Sequence, residues 1–118
     1  MGVADISWSS KKKNLQVTIT IREDSDGDGA LDNPVAAAHV NATLTLDSDK
    51  NGSFECGGDD TCWNNFGGDT GSNGSVKFSL VGGAPMGDYQ MEVTNVSHAN
   101  QAWNSSLDTD NPDTFTRQ

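Results

Sequence analysis

An acidic loop early in the chain holds the residues best suited to chemistry. Aspartates alternate at Asp24, Asp26 and Asp28, Gly29 follows at once, and Asp32 lies three residues further on. Calcium takes six to eight oxygen ligands, and a loop that curls around it needs a residue that tolerates an unusual φ. Without a cation these carboxylates would repel one another within one turn. The spacing therefore predicts a calcium site.

This loop matches the beginning of an EF-hand-type calcium loop but not its end. Asp24, Asp26, Asp28 and Asp32 take positions one, three, five and nine, and Gly29 takes position six. At position twelve, Val35 replaces the bidentate glutamate. No apolar period of helical length flanks the loop. We therefore expect an Asp-rich calcium loop between strands, completed by Asp32, a carbonyl and another segment. The alternative is a solvated acidic turn.

A second loop repeats this spacing further along the chain. Its candidate ligands are Asp47, Asp49, Asn51 and Glu55. The same run also suits an Asx turn whose charge is partly offset by Lys50, so a second calcium site and a simple turn both remain open. A long strand separates the two loops, which predicts two separate ions rather than one shared ion. Tail aspartates are candidates for a missing ligand at either loop: Asp108, Asp110 and Asp113.

The tryptophans and one short motif offer alternatives to a metal-binding role. Exposed indoles at Trp8, Trp63 and Trp103 would stack on sugar rings, whereas packing in the core or over a disulfide is the structural alternative. The triplet Asp69-Thr70-Gly71 is found in aspartic proteases, but that chemistry needs two such carboxylates in apolar strand–turn surroundings. No nucleophile elbow, zinc-protease helix or phosphate loop occurs, so we expect no enzymatic activity.

Two cysteines bear on the compartment of the protein. Cys56 and Cys62 lie in a Gly/Asp/Asn-rich stretch. A disulfide would fit an extracytoplasmic protein and stabilise it by about 2 kcal/mol, whereas metal binding by two thiols is the alternative. No signal peptide precedes the first strand, and we expect an excised domain of a larger secreted chain.

Alternating hydrophobicity predicts an all-β chain. The clearest strand has Leu15, Val17, Ile19 and Ile21 on one face and polar residues on the other, which is the pattern of a two-layer antiparallel sandwich. Further strands are predicted over 5–9, 36–46, 76–80, 87–93 and 114–116, with 56–75 as an irregular excursion. We expect about seven strands in a single domain, 1–118, with a core over 3–116.

Charge and hydropathy exclude several kinds of partner. The 118 residues include 17 acidic and 7 basic ones, for a net charge of −10. This balance argues against nucleic acid and anionic membranes as partners, and no apolar run is long enough to span a bilayer. We expect a monomer.

Three segments resemble the immunoglobulin-like modules appended to secreted bacterial enzymes, notably subtilisin-like proteases. Asn33-Pro34-Val35-Ala36-Ala37-Ala38-His39-Val40 is similar to a step into a strand of those modules, Val93-Thr94-Asn95-Val96-Ser97-His98-Ala99 to their late strand, and Asp110-Asn111-Pro112-Asp113 to their acidic tail. Gly87-x-Tyr89 looks like the corner before strand F. The resemblance covers most of 14–113 and implies a non-catalytic immunoglobulin-like β-sandwich. Cys56 and Cys62 also fall where such modules often carry a linked pair.

Together these features predict a calcium-binding, calcium-stabilised accessory domain of a secreted multidomain protein, with a bacterial protease as the parent. It would act as a spacer or in adhesion to a substrate, beside neighbouring domains of the parent chain. The alternative is a carbohydrate-binding module that uses exposed tryptophans. Polysaccharide and protein substrates are the candidate external partners.

Overall fold

The computed structural model of the protein describes residues 1–11, 14–24, 26–29, 31–48, 50, 52, 54, 60–80 and 85–117. Within them the chain is all-β, and its only helical element is a 3₁₀ turn, Ser105–Leu107. None of the described helical structure is long and apolar enough to cross a membrane. The strands are β1 Gly2–Lys11, β2 Asn14–Glu23, β3 Asn33–Pro34, β4 His39–Leu46, β5 Thr61–Asp69, β6 Ser75–Leu80, β7 Gly87–Ser97 and β8 Asp113–Arg117.

The strands form two antiparallel sheets of four. In the first sheet, β1 pairs with β2, and the far side of β2 pairs with β6 along most of its length and with the short β3 at its end. In the second sheet the order is β5-β4-β7-β8. Two antiparallel sheets that each bury one face are compatible with the predicted β-sandwich.

The strand predicted most clearly from the sequence, β2, is confirmed. Leu15, Val17, Ile19 and Ile21 are all buried, with at most 2% of their surface exposed, while the residues between them are not. Because successive side chains of a strand point to opposite faces, this alternation gives the first sheet one apolar and one polar face. The apolar face packs with side chains of β4 and β7, including Leu44 and Met91, in one core.

Two aromatic pairs join the margins of the sheets. Trp8 of β1 stacks on Phe115 of β8, with ring centroids 5.3 Å apart. Phe66 of β5 packs against Phe78 of β6 at 5.4 Å. Offset or tilted aromatic contacts of this kind add to the gain from apolar burial. The core is therefore closed on both sides by rings.

Three predicted elements are wrong in detail. The stretch 56–75 is not entirely irregular, because it contains β5, whose Gly67 and Gly68 hide its alternation. The strand expected over 36–46 begins only at His39, because residues 36 and 37 form a turn in which Ala37 has φ 59°. A proline cannot donate to a ladder, which predicts a turn at Asn33-Pro34, but this pair bonds to the end of β2 as β3.

Candidate metal centre

The first acidic loop connects β2 to β3 at the margin of the first sheet. Glu23 pairs with Asn33 in the ladder, and the Asp32 N–H donates to the Glu23 carbonyl at 2.8 Å. The Glu23 carboxylate accepts a hydrogen bond from the Gln101 side-chain amide, which belongs to the connection between β7 and β8. The base of the loop is thus held by both a strand ladder and a distant segment.

Asp24 organises the backbone of this loop. Its Oδ1 accepts the N–H of Gly27 at 2.9 Å and that of Asp28 at 3.2 Å, and its Oδ2 accepts the N–H of Gly29 at 2.8 Å. Gly27 and Gly29 have φ of 76° and 86°, in the left-handed region that glycine enters at no steric cost. A carboxylate offers about four lone-pair sites, and these three N–H bonds occupy most of them.

The loop brings three predicted ligands together. One carboxylate oxygen from each of Asp24, Asp26 and Asp28 lies within 4.8 Å of the other two. Oxygens bound to one calcium at about 2.3–2.6 Å lie at most about 5 Å from each other. Hard carboxylate donors at this separation fit a hard divalent cation, although exposed acidic groups of this kind are also common without an ion.

Hydrogen bonding shifts the pKa values of these carboxyls in opposite directions. The Gly29 N–H, followed by smaller contributions from its neighbours, lowers the pKa of Asp24. A side-chain hydrogen bond with Asp28 raises the pKa of Asp26, and the nearby charge of Asp32 adds to this increase. A carboxyl that bonds to a neighbouring carboxylate retains its proton more readily. A divalent cation in the same place would favour the fully ionised form instead.

Two further positions of the EF-hand-type spacing, Asp32 and Val35, do not join this group of three carboxylates. The carboxylate of Asp32 is exposed and does not belong to the group of three. Val35 is buried in the core, and its N–H donates to the Ile21 carbonyl at 3.0 Å. A valine in that environment supplies no side-chain oxygen, as the departure from the EF-hand pattern predicted.

The second acidic loop is described only in part. Asp47 is buried, and its Oδ2 accepts the Gly52 N–H at 2.9 Å, which is the contact of a turn-forming aspartate. Asp49, Asn51 and Glu55 lie outside the described residues, so a second calcium site stays a prediction. The strand β4 has eight residues and is about 26 Å long, and it separates the turn after β3 from this second loop.

The tail aspartates have a structural role that the sequence did not suggest. Asp108 Oδ1 accepts the Val3 N–H at 2.7 Å, and Asp110 Oδ2 accepts the Ile6 N–H at 2.9 Å. The Thr109 N–H donates to the Val3 carbonyl at 2.9 Å. The connection between β7 and β8 therefore satisfies outward backbone groups of Val3 and Ile6, in the first half of β1, which an edge strand would otherwise leave unpaired.

The three tryptophans are each half-buried and packed against the core. The Trp8 N–H donates to Asp113 at 2.8 Å and the Trp103 N–H to Asp108 at 3.1 Å. Trp63 packs at a tilt against Tyr89, with centroids 6.3 Å apart. Trp8 lies on β1 beside β8, whereas Trp63 lies on β5 at the opposite margin of the second sheet. This packing gives the carbohydrate-binding alternative based on indoles no support.

The aspartic-protease triplet has structural contacts instead. Asp69 pairs with His39 across the strands at 2.8 Å, and both side chains are exposed. The buried Thr70 hydroxyl donates to the Val35 carbonyl at 2.6 Å and accepts the Ala38 N–H at 3.0 Å. Thr70 thus fixes the turn that leads from β3 into β4.

Of the two cysteines in the predicted disulfide, only Cys62 lies among the described residues. Cys62 lies in β5, opposite Thr45 of β4. Cys56 lies outside the described residues, and its pairing with Cys62 stays a prediction.

Comparison with known proteins gives no relative from which a role could be transferred, because no family model, curated protein or solved structure matches this chain.

Proposed function

We propose that this chain is a non-catalytic, calcium-stabilised immunoglobulin-like accessory module of a secreted multidomain protein. The observation that carries the proposal is the convergence of Asp24, Asp26 and Asp28 oxygens within 4.8 Å, on a loop that joins two strands of an all-β framework. The module would act as a spacer or in substrate adhesion, with neighbouring domains of the parent chain as its partners.

The strand pairing supports an immunoglobulin-like identity. β1, β2 and β6 follow the order of strands A, B and E, while β4, β7 and β8 pair as strands C, F and G do. Tyr89, the third residue of β7, donates its hydroxyl to the Pro85 carbonyl at 2.6 Å. A tyrosine near the start of strand F that bonds to the backbone just upstream is a hallmark of such sandwiches.

The stabilising mechanism follows from electrostatics. Three carboxylates in one exposed turn repel one another, and a bound divalent ion replaces that repulsion with attraction. An ion that binds only the folded state stabilises it by about 2.7 kcal/mol when its free concentration is a hundred times Kd. Because small domains have about 5–15 kcal/mol of stability, this is a large share.

Three features support an extracellular, non-catalytic role. An exposed loop with few ligands suits the weak calcium affinities of extracellular modules, about 10⁻⁴–10⁻³ M. The predicted Cys56–Cys62 bond belongs to an oxidising compartment. The exposed His39–Asp69 pair lies on an open sheet surface, where an acid–base pair has no enclosed site in which to act. The resemblance to modules of bacterial proteases supports a protease as the parent.

Thermal unfolding in calcium and in EDTA tests the proposal. We expect the chelator to lower Tm by about 10 °C. The double variant Asp26→Asn/Asp28→Asn should melt at the same temperature in both buffers, because it lacks two ligands. Glu92→Gln removes an exposed charge from β7 and serves as the matched control, with the calcium response intact. Equal Tm values for the wild-type protein in both buffers would refute calcium stabilisation.

A further inference from the structure

The chain contains more N-glycosylation triplets than its composition predicts. Five of its 11 asparagines begin an Asn-x-Ser/Thr triplet in which x is not proline: Asn41, Asn51, Asn73, Asn95 and Asn104. The 22 serines and threonines among 118 residues would give about two such triplets by chance. Composition therefore accounts for fewer than half of them. In secreted proteins this triplet is the acceptor for N-linked glycans at the surface.

Two of these triplets form turns that hold an exposed asparagine side chain. In the turn between β5 and β6, the Asn73 Oδ1 accepts the Ser75 N–H at 3.1 Å. In the connection between β7 and β8, the Asn104 Oδ1 accepts the Ser106 N–H at 3.1 Å and the Ser106 hydroxyl at 2.6 Å. Both are Asx turns, which tie the asparagine to the third residue of its own triplet. Within the described part of the chain, neither Nδ2 donates a hydrogen bond.

A carboxamide that is bonded through its oxygen and has an unengaged nitrogen suits the transfer of a glycan. In this reaction Nδ2 attacks the anomeric carbon of an oligosaccharide carried on a lipid pyrophosphate. A C–N bond forms, the C–O bond to the pyrophosphate breaks, and the lipid pyrophosphate leaves, while one amide proton passes to a base of the transferase. A hydrogen bond to the carboxamide oxygen polarises the group and favours the loss of that proton.

The triplets that begin at Asn41 and Asn95 lie instead in the ladder between β4 and β7, where these two residues pair in register. Because their backbone groups belong to the sheet, these segments cannot form an Asx turn without leaving it. The neighbouring strand β5 also approaches closely, since a Cβ added at Gly67 would lie 3.0 Å from the Asn41 Oδ1. Folding therefore withdraws these two triplets from a transferase. Asn51 lies outside the described residues.

Both turn triplets lie at the end of the first sheet where the acidic loop begins. The Gly74 carbonyl, inside the first triplet, accepts the Ile21 N–H at 2.7 Å. The Asn104 N–H, at the start of the second, donates to the Met1 carbonyl at 2.9 Å, beside the end of β1 that pairs with Arg22. Because β2 continues directly into the acidic loop, the two turns flank the base of that loop.

We propose that Asn73 and Asn104 carry N-linked glycans, one on each side of the base of the acidic loop. The inference rests on the extracellular location in the proposed function and does not depend on calcium binding. Glycans are bulky and solubilising, so they would keep this end of the domain in solvent and away from other macromolecules.

Glycopeptide mass spectrometry of the protein isolated from its natural source tests the proposal. We expect glycan mass on Asn73 and Asn104, and none on Asn41 or Asn95. Protein recovered outside the cell without glycans would overturn this inference and leave the proposed function standing, whereas protein retained in the cytoplasm would contradict both. Glycans on the strand triplets in place of the turn triplets would also overturn the inference.

Variants secreted from a eukaryotic cell line locate the acceptors by intact mass. Asn73→Gln and Asn104→Gln should each remove the mass of one glycan, and the double variant should remove both. Ser106→Ala should lose the glycan on Asn104, whereas Ser106→Thr, which restores a hydroxyl, should retain it. Asn100→Gln changes an exposed asparagine outside any triplet, so this matched control should keep both glycans. The same glycan mass on the wild type and the double variant would refute the assignment.

Discussion

Trp8 and Phe115 stack almost in parallel across the gap between the two sheets, with their planes 9° apart and their centroids separated by 5.3 Å. Trp8 belongs to the first sheet and Phe115 to the second, and the Trp8 N–H also donates to Asp113 at 2.8 Å. One side chain therefore joins the sheets by both an apolar and a polar contact. Such a contact closes the side of the core where β1 and β8 run along the margin.

Replacement of Trp8 should cost much of the stability of this margin. We expect Trp8→Ala to lower the free energy of unfolding by about 2–4 kcal/mol, because a large ring and its hydrogen bond are both lost. Trp8→Phe keeps one ring against Phe115 but loses the N–H donor and part of the indole surface, so its cost should be about 1–2 kcal/mol. Urea denaturation measures both values. A Trp8→Ala variant as stable as the wild type would mean that the ring pair contributes nothing to the fold.

The Tyr89 hydroxyl should matter more than its small size suggests. Tyr89→Phe leaves the ring in the core but removes the donor to the Pro85 carbonyl, for an expected loss of about 1–1.5 kcal/mol. Tyr89→Leu, which loses ring packing as well, should cost more. If Tyr89→Phe unfolds at the same denaturant concentration as the wild type, the hydrogen bond from the Tyr89 hydroxyl to the Pro85 carbonyl contributes nothing to stability.

The same tyrosine should make stability depend on alkaline pH. Burial raises the pKa of Tyr89 above its ordinary value, and the charge of Arg117 offsets this only partly. Because the folded state then holds the proton more tightly, stability should fall as pH rises from the unfolded value of about 10 towards the folded pKa. Tyr89→Phe lacks the titrating group, so its deficit relative to the wild type should shrink over this range. Parallel loss of stability in both proteins would assign the alkaline transition to other groups.

Asp108 should be required for the edge of β1. It accepts the N–H groups of Val3 and Trp103 on the same oxygen, Oδ1. Asp108→Ala leaves both donors without this acceptor, and we expect a loss of about 2 kcal/mol in urea denaturation together with faster amide exchange at Val3. Asp108→Asn retains an acceptor oxygen and should lose less. Unchanged protection of the Val3 amide in Asp108→Ala would show that the tail does not guard this edge.

Gly74 should tolerate no side chain, although Gly27 has a similar backbone conformation. Both have positive φ, 79° and 76° respectively, but a Cβ at Gly74 would lie 2.6 Å from the Ile21 carbonyl oxygen, whereas at Gly27 it meets nothing within 4 Å. Gly27→Ala should therefore cost about 1 kcal/mol of backbone strain. Gly74→Ala adds a steric clash with backbone and should cost at least about 2 kcal/mol more. Similar melting temperatures for the two variants would contradict this difference in steric crowding.

Local patterns predicted those parts of the molecule whose determinants are local. The alternation of Leu15, Val17 and Ile19 needs only the two-residue period of a strand, and it correctly indicated a half-buried sheet. The gathering of Asp24, Asp26 and Asp28 likewise depends on the turn within the loop, where Gly27 and Gly29 supply the positive φ.

Other features depend on contacts that no local pattern contains. β5 was missed because its glycines carry no side chain to alternate, and it forms because β4 supplies a ladder partner along its length. Asp108 and Asp110 looked like spare metal ligands because their backbone partners, Val3 and Ile6, are more than a hundred residues away in the chain. The one available indication was that β1, as an edge strand, needs another segment of the chain to satisfy its outward backbone groups.

The cover over β1 also bears on how copies of this protein behave when crowded together. The part of β1 whose outward amides, at Val3 and Ile6, are already occupied by aspartate side chains offers no template along which a second molecule could extend its sheet. Several such domains in one polypeptide, or packed densely on a surface, would therefore not associate by pairing this part of their β1 strands.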